Sequence, residues 1–179
     1  MTVVVARSRV WTREECGLKP PRRALSPLVD HPEGAIIHCT DGKHPTTEAE
    51  ALKYWRLTQR FHQRSRGWND IGYSFGFNDL GMILEGRGWD KYGAHSNAID
   101  PEDGLAWNAD RHGFCYQGDG ENPSQLAIDA MHFLLGAMVT RYGLADAKPH
   151  NEVAEKECPG SGVTKALRDW REHWEAKAG

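Results

Sequence analysis

The chain has 179 residues, with 22 Lys or Arg against 25 Asp or Glu and a formal net charge of −3. This length predicts one domain with a buried hydrophobic core, since domains commonly hold about 100–200 residues. The slight negative charge disfavours a nucleic-acid partner, because nucleic-acid-binding proteins are more often basic. No stretch approaches the ~20 consecutive apolar residues of a membrane span, so we expect no membrane insertion.

We predict that residues 1–30 form an arm packed on a single domain that spans residues 1–179. The arm begins with a short apolar strand and lacks the longer apolar stretch of a secretory signal. We therefore expect synthesis in the cytoplasm without a signal peptide. Thr12 and Glu15 have the spacing of a capping box for one helical turn, which Gly17 would end.

A buried strand and a long helix follow the arm. The segment Gly34–Thr40, GAIIHCT, predicts a short strand that ends in polar residues. Thr47 and Glu50 form a second capping box. This box opens a helix predicted from about Thr47 to Arg66, which Gly67 would close.

One face of this helix carries a basic stripe, formed by Lys53, Arg56, Arg60 and Arg64. Such a stripe is most often a solvated surface, because Lys and Arg prefer exposure. The alternative is a surface that attracts an anionic polymer.

Alternating aromatic residues after the helix predict a β-hairpin. Tyr73, Phe75 and Phe77 alternate with small residues, Asn78–Asp79 supply the turn, and Met82–Leu84 pair back.

The second half of the chain predicts a loop, a strand and two more helices. Trp89–Arg111 has weak periodicity and is predicted as a long loop, and Gly113–Gly118 as a strand. Asn122–Pro123 would cap and open a helix that runs to about Tyr142. The last helix is predicted at Val163–Glu175. Together these elements predict an α/β fold with a central mixed sheet flanked by helices.

Two residues near the C-terminus have the chemistry of metal ligands. His150 and Cys158 are eight residues apart, and imidazole and thiolate both suit Zn²⁺. A catalytic zinc site needs a third protein ligand and an open fourth position. His38 is the best candidate for the third ligand, because it lies where the buried strand meets polar sequence. The alternative is that His38 is a hydrogen-bonded histidine at a sheet edge.

Six segments spread over nearly the whole chain follow an order typical of one family. They are TREECGLKPP, IIHCT, FHQRSRGWNDIGYSF, LGMILEGR, GAH and HNEVAEKECPG. In this order they resemble the zinc-dependent N-acetylmuramoyl-L-alanine amidases of the type 2 class. That class includes phage lysozyme-like amidases and the peptidoglycan recognition proteins. Each segment alone is a loose pattern, but the six together are specific.

The resemblance implies the peptidoglycan recognition protein fold and a zinc amidase domain. It implies that His38, His150 and Cys158 bind one Zn²⁺ per chain. It also implies that Tyr73 is the active-site tyrosine and that Lys156 is the active-site lysine found in the phage enzymes. The expected reaction is hydrolysis of the amide bond between N-acetylmuramic acid and L-alanine of peptidoglycan by a zinc-activated water.

The chain departs from the family between residues 96 and 111, where the loop is longer than usual. In the segment WNADRHGF, Asn108 keeps a family asparagine, and His112 stands where an apolar residue is common. Because His95 belongs to the family segment GAH, it is the histidine most expected to contact substrate. His95 and Asn108 are therefore our predicted substrate-binding residues.

These features favour a phage endolysin that reaches the bacterial wall after release from the cytoplasm and lyses the host cell. Its partner would be peptidoglycan, and a monomer is favoured. The alternative is a recognition module that binds peptidoglycan without cutting it. Non-catalytic members of the family typically lack the cysteine ligand, which is present here as Cys158. Cys16, Cys39 and Cys115 are interpreted as small buried residues.

Overall fold

The computed structural model describes residues 9–29, 32–143 and 146–178, and for residues 175–178 it describes the backbone alone. The elements in chain order are β1 (Val10–Trp11), β2 (Gly34–Cys39), α1 (Glu48–Ser65), β3 (Phe75–Phe77), β4 (Ile83–Glu85), α2 (Trp107–Asp110), β5 (Arg111–Tyr116), α3 (Gln125–Tyr142), β6 (Ala147–Pro149), α4 (His150–Val153) and α5 (Ser161–Ala178). The apolar strand predicted at the start of the arm lies outside the described residues.

The six strands form one mixed sheet in the order β1–β4–β3–β5–β2–β6. β3 and β4 run antiparallel, as the predicted hairpin requires. The other neighbouring pairs run parallel. This sheet confirms the predicted α/β fold class.

The two faces of the sheet bury separate apolar clusters under different helices. On one face, Leu134 of α3 and Leu167 of α5 join Phe114 of β5. On the other face, Trp55 of α1 joins Cys115 of β5. Successive residues of a strand point to opposite faces, which explains why these two neighbours belong to different clusters. No helix in the described part of the chain is both long and apolar enough to cross a membrane.

Helix α1 lies close to the sheet because β3 has a glycine beneath its tryptophan. A Cβ atom at Gly76 would come within 2.8 Å of the Trp55 ring. The Trp55 indole N–H donates to the Glu85 carbonyl at 3.0 Å. At the start of this helix, the Thr47 hydroxyl accepts from the Glu50 N–H at 3.2 Å, as the capping box predicts.

Helix α3 begins later than the sequence predicts. Its cap is Ser124, whose hydroxyl accepts from the Ala127 N–H at 3.2 Å, so the predicted start at Asn122–Pro123 is wrong. The reason is Asp79, whose carboxylate accepts the Ser124 N–H at 2.7 Å. This contact between distant segments selects the capping residue.

Four short elements have no counterpart among the predicted ones, and the first of them, β1, has only two residues. β6 has three residues and ends in proline, and α2 and α4 have four residues each. Such short elements carry too few residues to show a periodic pattern.

The described part of the arm, residues 9–29, packs on the edge of the sheet. β1 pairs with β4. The Arg13 guanidinium donates at 2.9 Å to Asp70, which is fully buried. Thr12 and Glu15 form the predicted capping box, with the Glu15 N–H 3.2 Å from the Thr12 hydroxyl.

His112 of β5 is buried among aromatic rings. Its ring stacks on Phe114 and Tyr142, at centroid distances of 6.0 and 5.4 Å. Neither ring nitrogen has a hydrogen-bond partner in the part of the chain described. Burial lowers the pKa of His112 from 6.5 to about 4. The imidazole of His112 thus lies in an apolar environment.

We predict that His112→Phe makes the fold more resistant to acid. A histidine whose folded pKa is depressed favours the folded state only while neutral, so stability falls as the pH drops through the unfolded pKa toward the folded one. Between about pH 7.5 and about pH 4.5, the variant should gain about 2 kcal/mol in free energy of unfolding relative to wild type. Urea unfolding at both pH values measures this gain.

The matched control is His173→Phe, which changes an exposed histidine of α5. This control should keep the pH dependence of wild type. A His112→Phe protein with that same pH dependence would contradict the burial of an unpartnered imidazole.

Candidate metal centre and groove

Parallel pairing of β2 with β6 brings two histidines side by side. Ile37 of β2 is in register with Pro149 of β6, so His38 and His150 follow at adjacent positions. Their ring centroids lie 4.4 Å apart. Cys158 reaches the same point from the loop before α5, with its Sγ 3.8 Å from His38 Nδ1. One ligand atom from each of the three residues lies within 4.8 Å of the other two.

These three side chains fit a zinc ion. A tetrahedral zinc with imidazole and thiolate ligands holds nitrogen and sulfur about 3.6 Å apart. The observed separation of His38 Nδ1 and Cys158 Sγ is close to this value. His150 Nδ1 is buried and has no hydrogen-bond partner among the described residues. Buried polar atoms are rarely left without a partner, and a metal ion would supply one here.

A chain of two hydrogen bonds selects the nitrogen that His38 offers. His95 Nε2 lies 3.0 Å from the Arg111 carbonyl, which can only accept, so this nitrogen carries the proton. His95 Nδ1 then has a free lone pair and accepts from His38 Nε2 at 3.1 Å. His38 Nδ1 is left unprotonated on the side of Cys158, in the form that binds a metal.

His95 and Asn108 are both held by the protein itself. The Asn108 side-chain oxygen accepts the backbone N–H groups of His95 and Ser96 at 2.7 and 2.8 Å. Gly113 of β5 leaves space for the His95 ring, since a Cβ atom there would lie 2.5 Å from it. His95 also lines the open groove that contains the three candidate ligands, but both of its ring nitrogens have protein partners.

Burial keeps the histidines of the centre neutral. It lowers the pKa of His38 well below the usual range, and His95 and His150 lower it further. Burial also lowers the pKa of His95 to about 3 and lowers that of His150. Neutral imidazole is the form that coordinates metal ions.

The thiol of Cys158 is also kept neutral, but the neutral thiol is not the form that binds a metal ion. Its hydrogen bond with Cys39 and its burial raise its pKa above the usual value. The backbone N–H of Cys39 donates to the sulfur at 3.2 Å and supports a thiolate there. A bound divalent cation favours the thiolate outright, so we expect metal binding to release the Cys158 proton. Cys39 is therefore more than a buried apolar residue, because its backbone contacts the candidate ligand.

Tyr73 lies two residues before β3, with its ring centroid 5.3 Å from that of His38. Burial raises the pKa of its phenol well above the usual value. The hydroxyl therefore stays protonated and can donate a hydrogen bond. Lys156 is exposed and lines the open groove that contains the three candidate ligands. Its positive charge adds to the effect of burial in lowering the pKa of His150.

The three candidate ligands lie in an open groove of about 590 Å³. One wall is the flank of α1 that carries Tyr54, Leu57 and Phe61, and Trp68 extends it. Leu57 and Phe61 are 44% and 50% exposed, so they present apolar surface to the groove. Our sequence reasoning missed this wall, although the i, i+4 spacing of Leu57 and Phe61 could have indicated it.

A second cluster of carboxylates lies beside Arg111. Glu33, Asp100 and Asp110 also lie within 4.8 Å of one another. Arg111 is almost fully buried and forms ion pairs with Glu33 at 3.0 Å and Asp100 at 3.3 Å. The guanidinium therefore balances two of the three carboxylates. The Asp110 oxygens have no hydrogen-bond partner among the described residues, and burial raises the pKa of Asp110 to about 6.

The family model described as N-acetylmuramoyl-L-alanine amidase matches residues 29–161. Because this match covers well over half of the chain, the protein belongs to that family. Members of the family commonly bind zinc, and the candidate ligands lie within the matched residues.

Peptidoglycan recognition proteins are similar to this chain in sequence and in structure. Peptidoglycan-recognition protein SC2 of Drosophila simulans is 31% identical over 154 residues, covering 83% of this chain and 79% of that protein. Peptidoglycan-recognition protein LB of Drosophila melanogaster is 33% identical over 181 residues, covering 93% and 70% respectively. A point mutant of Drosophila PGRP-LB, solved in complex with tracheal cytotoxin, has a TM-score of 0.81 at 30% identity, covering 90% of this chain and 94% of that one. These similarities confirm the expected fold and indicate a function related to peptidoglycan.

We predict that His95→Leu weakens zinc binding. The variant removes the acceptor for His38 Nε2, so the ligand nitrogen is no longer fixed by the Arg111 carbonyl. The affinity for zinc should fall about 10- to 100-fold, as is typical when such supporting groups are lost. Titration of the apo protein against a zinc-binding dye measures the affinity. His112→Phe, which alters a buried histidine outside the groove, should bind zinc like wild type, and an unchanged affinity in His95→Leu would exclude the hydrogen-bond chain.

Proposed function

We propose that this protein is a zinc-dependent N-acetylmuramoyl-L-alanine amidase. It hydrolyses the amide bond between the lactyl group of N-acetylmuramic acid and L-alanine in peptidoglycan. The observation that carries this proposal is the convergence of His38, His150 and Cys158 at the floor of an open groove. Membership of the amidase family adds the reaction class.

His38, His150 and Cys158 would hold the zinc ion and leave its fourth position toward the groove. A zinc ion held there would supply Lewis acidity that polarises the scissile carbonyl and acidifies water. The two imidazoles stay neutral and the thiolate carries one negative charge, so the loaded centre keeps about one positive charge by formal count.

Tyr73 and Lys156 are the proposed catalytic residues. The protonated Tyr73 hydroxyl would donate a hydrogen bond that orients the substrate carbonyl or the attacking water. The Lys156 ammonium would stabilise the negative charge that develops on the carbonyl oxygen. His95 and Asn108 act one step away: His95 positions His38, and Asn108 positions the backbone of His95.

The walls of the groove suit a glycopeptide. Leu57, Phe61 and Trp68 offer apolar surface to sugar rings and to the alkyl parts of the stem peptide. Lys43 and Arg66 line the same groove and would pair with the carboxylates of the stem peptide. Binding of tracheal cytotoxin by the PGRP-LB mutant supports this use of the groove.

We further propose that this amidase is a phage endolysin, which lyses the host wall after release from the cytoplasm. Its support is Lys156, which matches the active-site lysine of the phage enzymes and lines the groove. The second candidate is a peptidoglycan-binding module without activity. The relatives named as recognition proteins favour it, whereas the complete ligand set favours the amidase.

We predict that Cys158→Ser abolishes cleavage while peptidoglycan binding persists. Loss of the thiolate removes one ligand and the charge that balances the metal, so turnover should fall about 10³-fold or more. Mass spectrometry of digested sacculi, with and without a chelator, identifies the cleaved bond and its metal dependence. Cys16→Ser, a buried cysteine of the arm, is the control and should keep activity. Wild-type protein that binds zinc and sacculi but releases no L-alanyl amino groups would support the binding module instead.

We predict that Lys156→Met lowers kcat about 100-fold with zinc retained. The substitution keeps the length of the side chain and removes its charge, so the loss reports on stabilisation of the oxyanion. Turnover of a soluble muropeptide and zinc content are measured on the same preparation. Lys165→Met, which changes an exposed lysine of α5, should turn over normally. Normal turnover in Lys156→Met would remove this residue from the mechanism.

A further inference from the structure

A second groove, of about 550 Å³, lies between α1 and residues 17–22 of the arm. Exposed cations line it from both sides: Lys19, Arg22, Lys53, Arg56, Arg60 and Arg64. No Asp or Glu of the described residues is among its lining residues, although the net charge of the chain is −3. Positive charge is therefore concentrated at this surface, which we name the basic groove.

The basic groove has a fixed floor. The buried side-chain amide of Gln59 accepts the Lys19 N–H at 3.0 Å and donates to the Lys19 carbonyl at 2.8 Å. The Arg56 guanidinium donates to the Cys16 carbonyl at 3.1 Å. These bonds hold the arm against α1, so the groove persists without a ligand.

The six cations of the basic groove form no ion pair among the described residues, whereas some exposed cations elsewhere do. Lys165 pairs with Asp169 at 2.6 Å, and Arg141 pairs with Asp90 at 2.9 Å. Like charges held close together repel one another. A ligand with regularly spaced negative charge would relieve this repulsion.

The spacing of the cations favours an extended chain of anions. Along α1 the basic stripe repeats every three or four residues, which is about 4.5–6 Å along the helix axis. Guanidinium groups bind phosphate oxygens in pairs. No aromatic side chain in the described part of the chain lines the basic groove, and this disfavours single-stranded nucleic acid, which stacks on aromatic rings.

We propose that the basic groove binds the phosphodiester backbone of an anionic wall polymer, a poly(polyol phosphate) chain attached to peptidoglycan. This inference rests on the proposed function, since a peptidoglycan amidase meets such chains on its own substrate. Leu57 lines both grooves, so α1 separates them by the width of one helix. A glycan strand in the open groove beside the metal centre would place its attached polymer near the basic groove, on the other flank of α1.

The test is binding of soluble poly(glycerol phosphate), freed of peptidoglycan, to the full chain by calorimetry at two salt concentrations. The variant is Lys53→Gln/Arg60→Gln/Arg64→Gln, which leaves Arg56 in place because it supports the arm. Wild type should bind, and added salt should weaken the binding. The variant should lose about 10-fold or more in affinity. The control, Lys91→Gln/Lys165→Gln/Arg168→Gln, has the same change in charge at exposed positions and should bind like wild type.

A parallel titration with single-stranded DNA of similar charge distinguishes the two polyanions. Absence of polymer binding by wild type, equal binding by variant and wild type, or tighter binding of DNA than of polymer would each overturn the proposal. Cleavage of walls stripped of polymer tests the amidase separately, and the basic-groove variant should cleave them like wild type. Wild type that binds the polymer but cleaves no wall would overturn the proposed function and leave the polymer site standing.

Discussion

The backbone pairing of β2 with its two parallel neighbours sets the geometry of the centre. On one side, β5 supplies the Arg111 carbonyl that fixes His95, and through it the orientation of His38. On the other side, β6 delivers His150 one residue beyond the Ile37–Pro149 pair. Neighbouring strands lie about 4.8 Å apart, which suits two ligands of one ion. The third ligand needs only a loop to reach this point.

Burial gives the centre its chemical character. It disfavours charge on the imidazoles of His38, His95 and His150 and also on the thiol of Cys158. The histidines are therefore ready to bind a metal, whereas the cysteine needs the cation to become a thiolate. Binding of a metal ion would thereby be coupled to loss of a proton. The His150 nitrogen that lacks a partner fits the same picture, since a bound ion would supply one.

Local signals in the sequence predicted the long elements, and contacts between distant segments decided the rest. The capping box at Thr47 and the hairpin around Asn78–Asp79 were predictable because each depends on a few adjacent residues. The start of α3 was not, because Asp79 selects Ser124 as the cap. β6 was not either, because three residues ending in proline form a strand only beside β2.

The candidate site also has features that the sequence predicted and features that depend on contacts between distant segments. Spacing and residue chemistry alone made His38, His150 and Cys158 a plausible ligand set, and the family resemblance specified them. The support of His38 by His95 depends on a carbonyl of another strand, which no sequence pattern displays. The basic stripe of α1 was visible in the sequence, but the groove it lines is completed by Lys19 and Arg22 of the arm.

The account depends on two histidine nitrogens and one cysteine sulfur sharing a zinc ion. X-ray absorption at the zinc edge of the loaded protein tests this most directly. We expect a four-coordinate shell with one sulfur at about 2.3 Å and histidine nitrogens at about 2.0 Å, and loss of the sulfur signal in Cys158→Ser. A shell without sulfur in the wild-type protein would contradict the assigned centre.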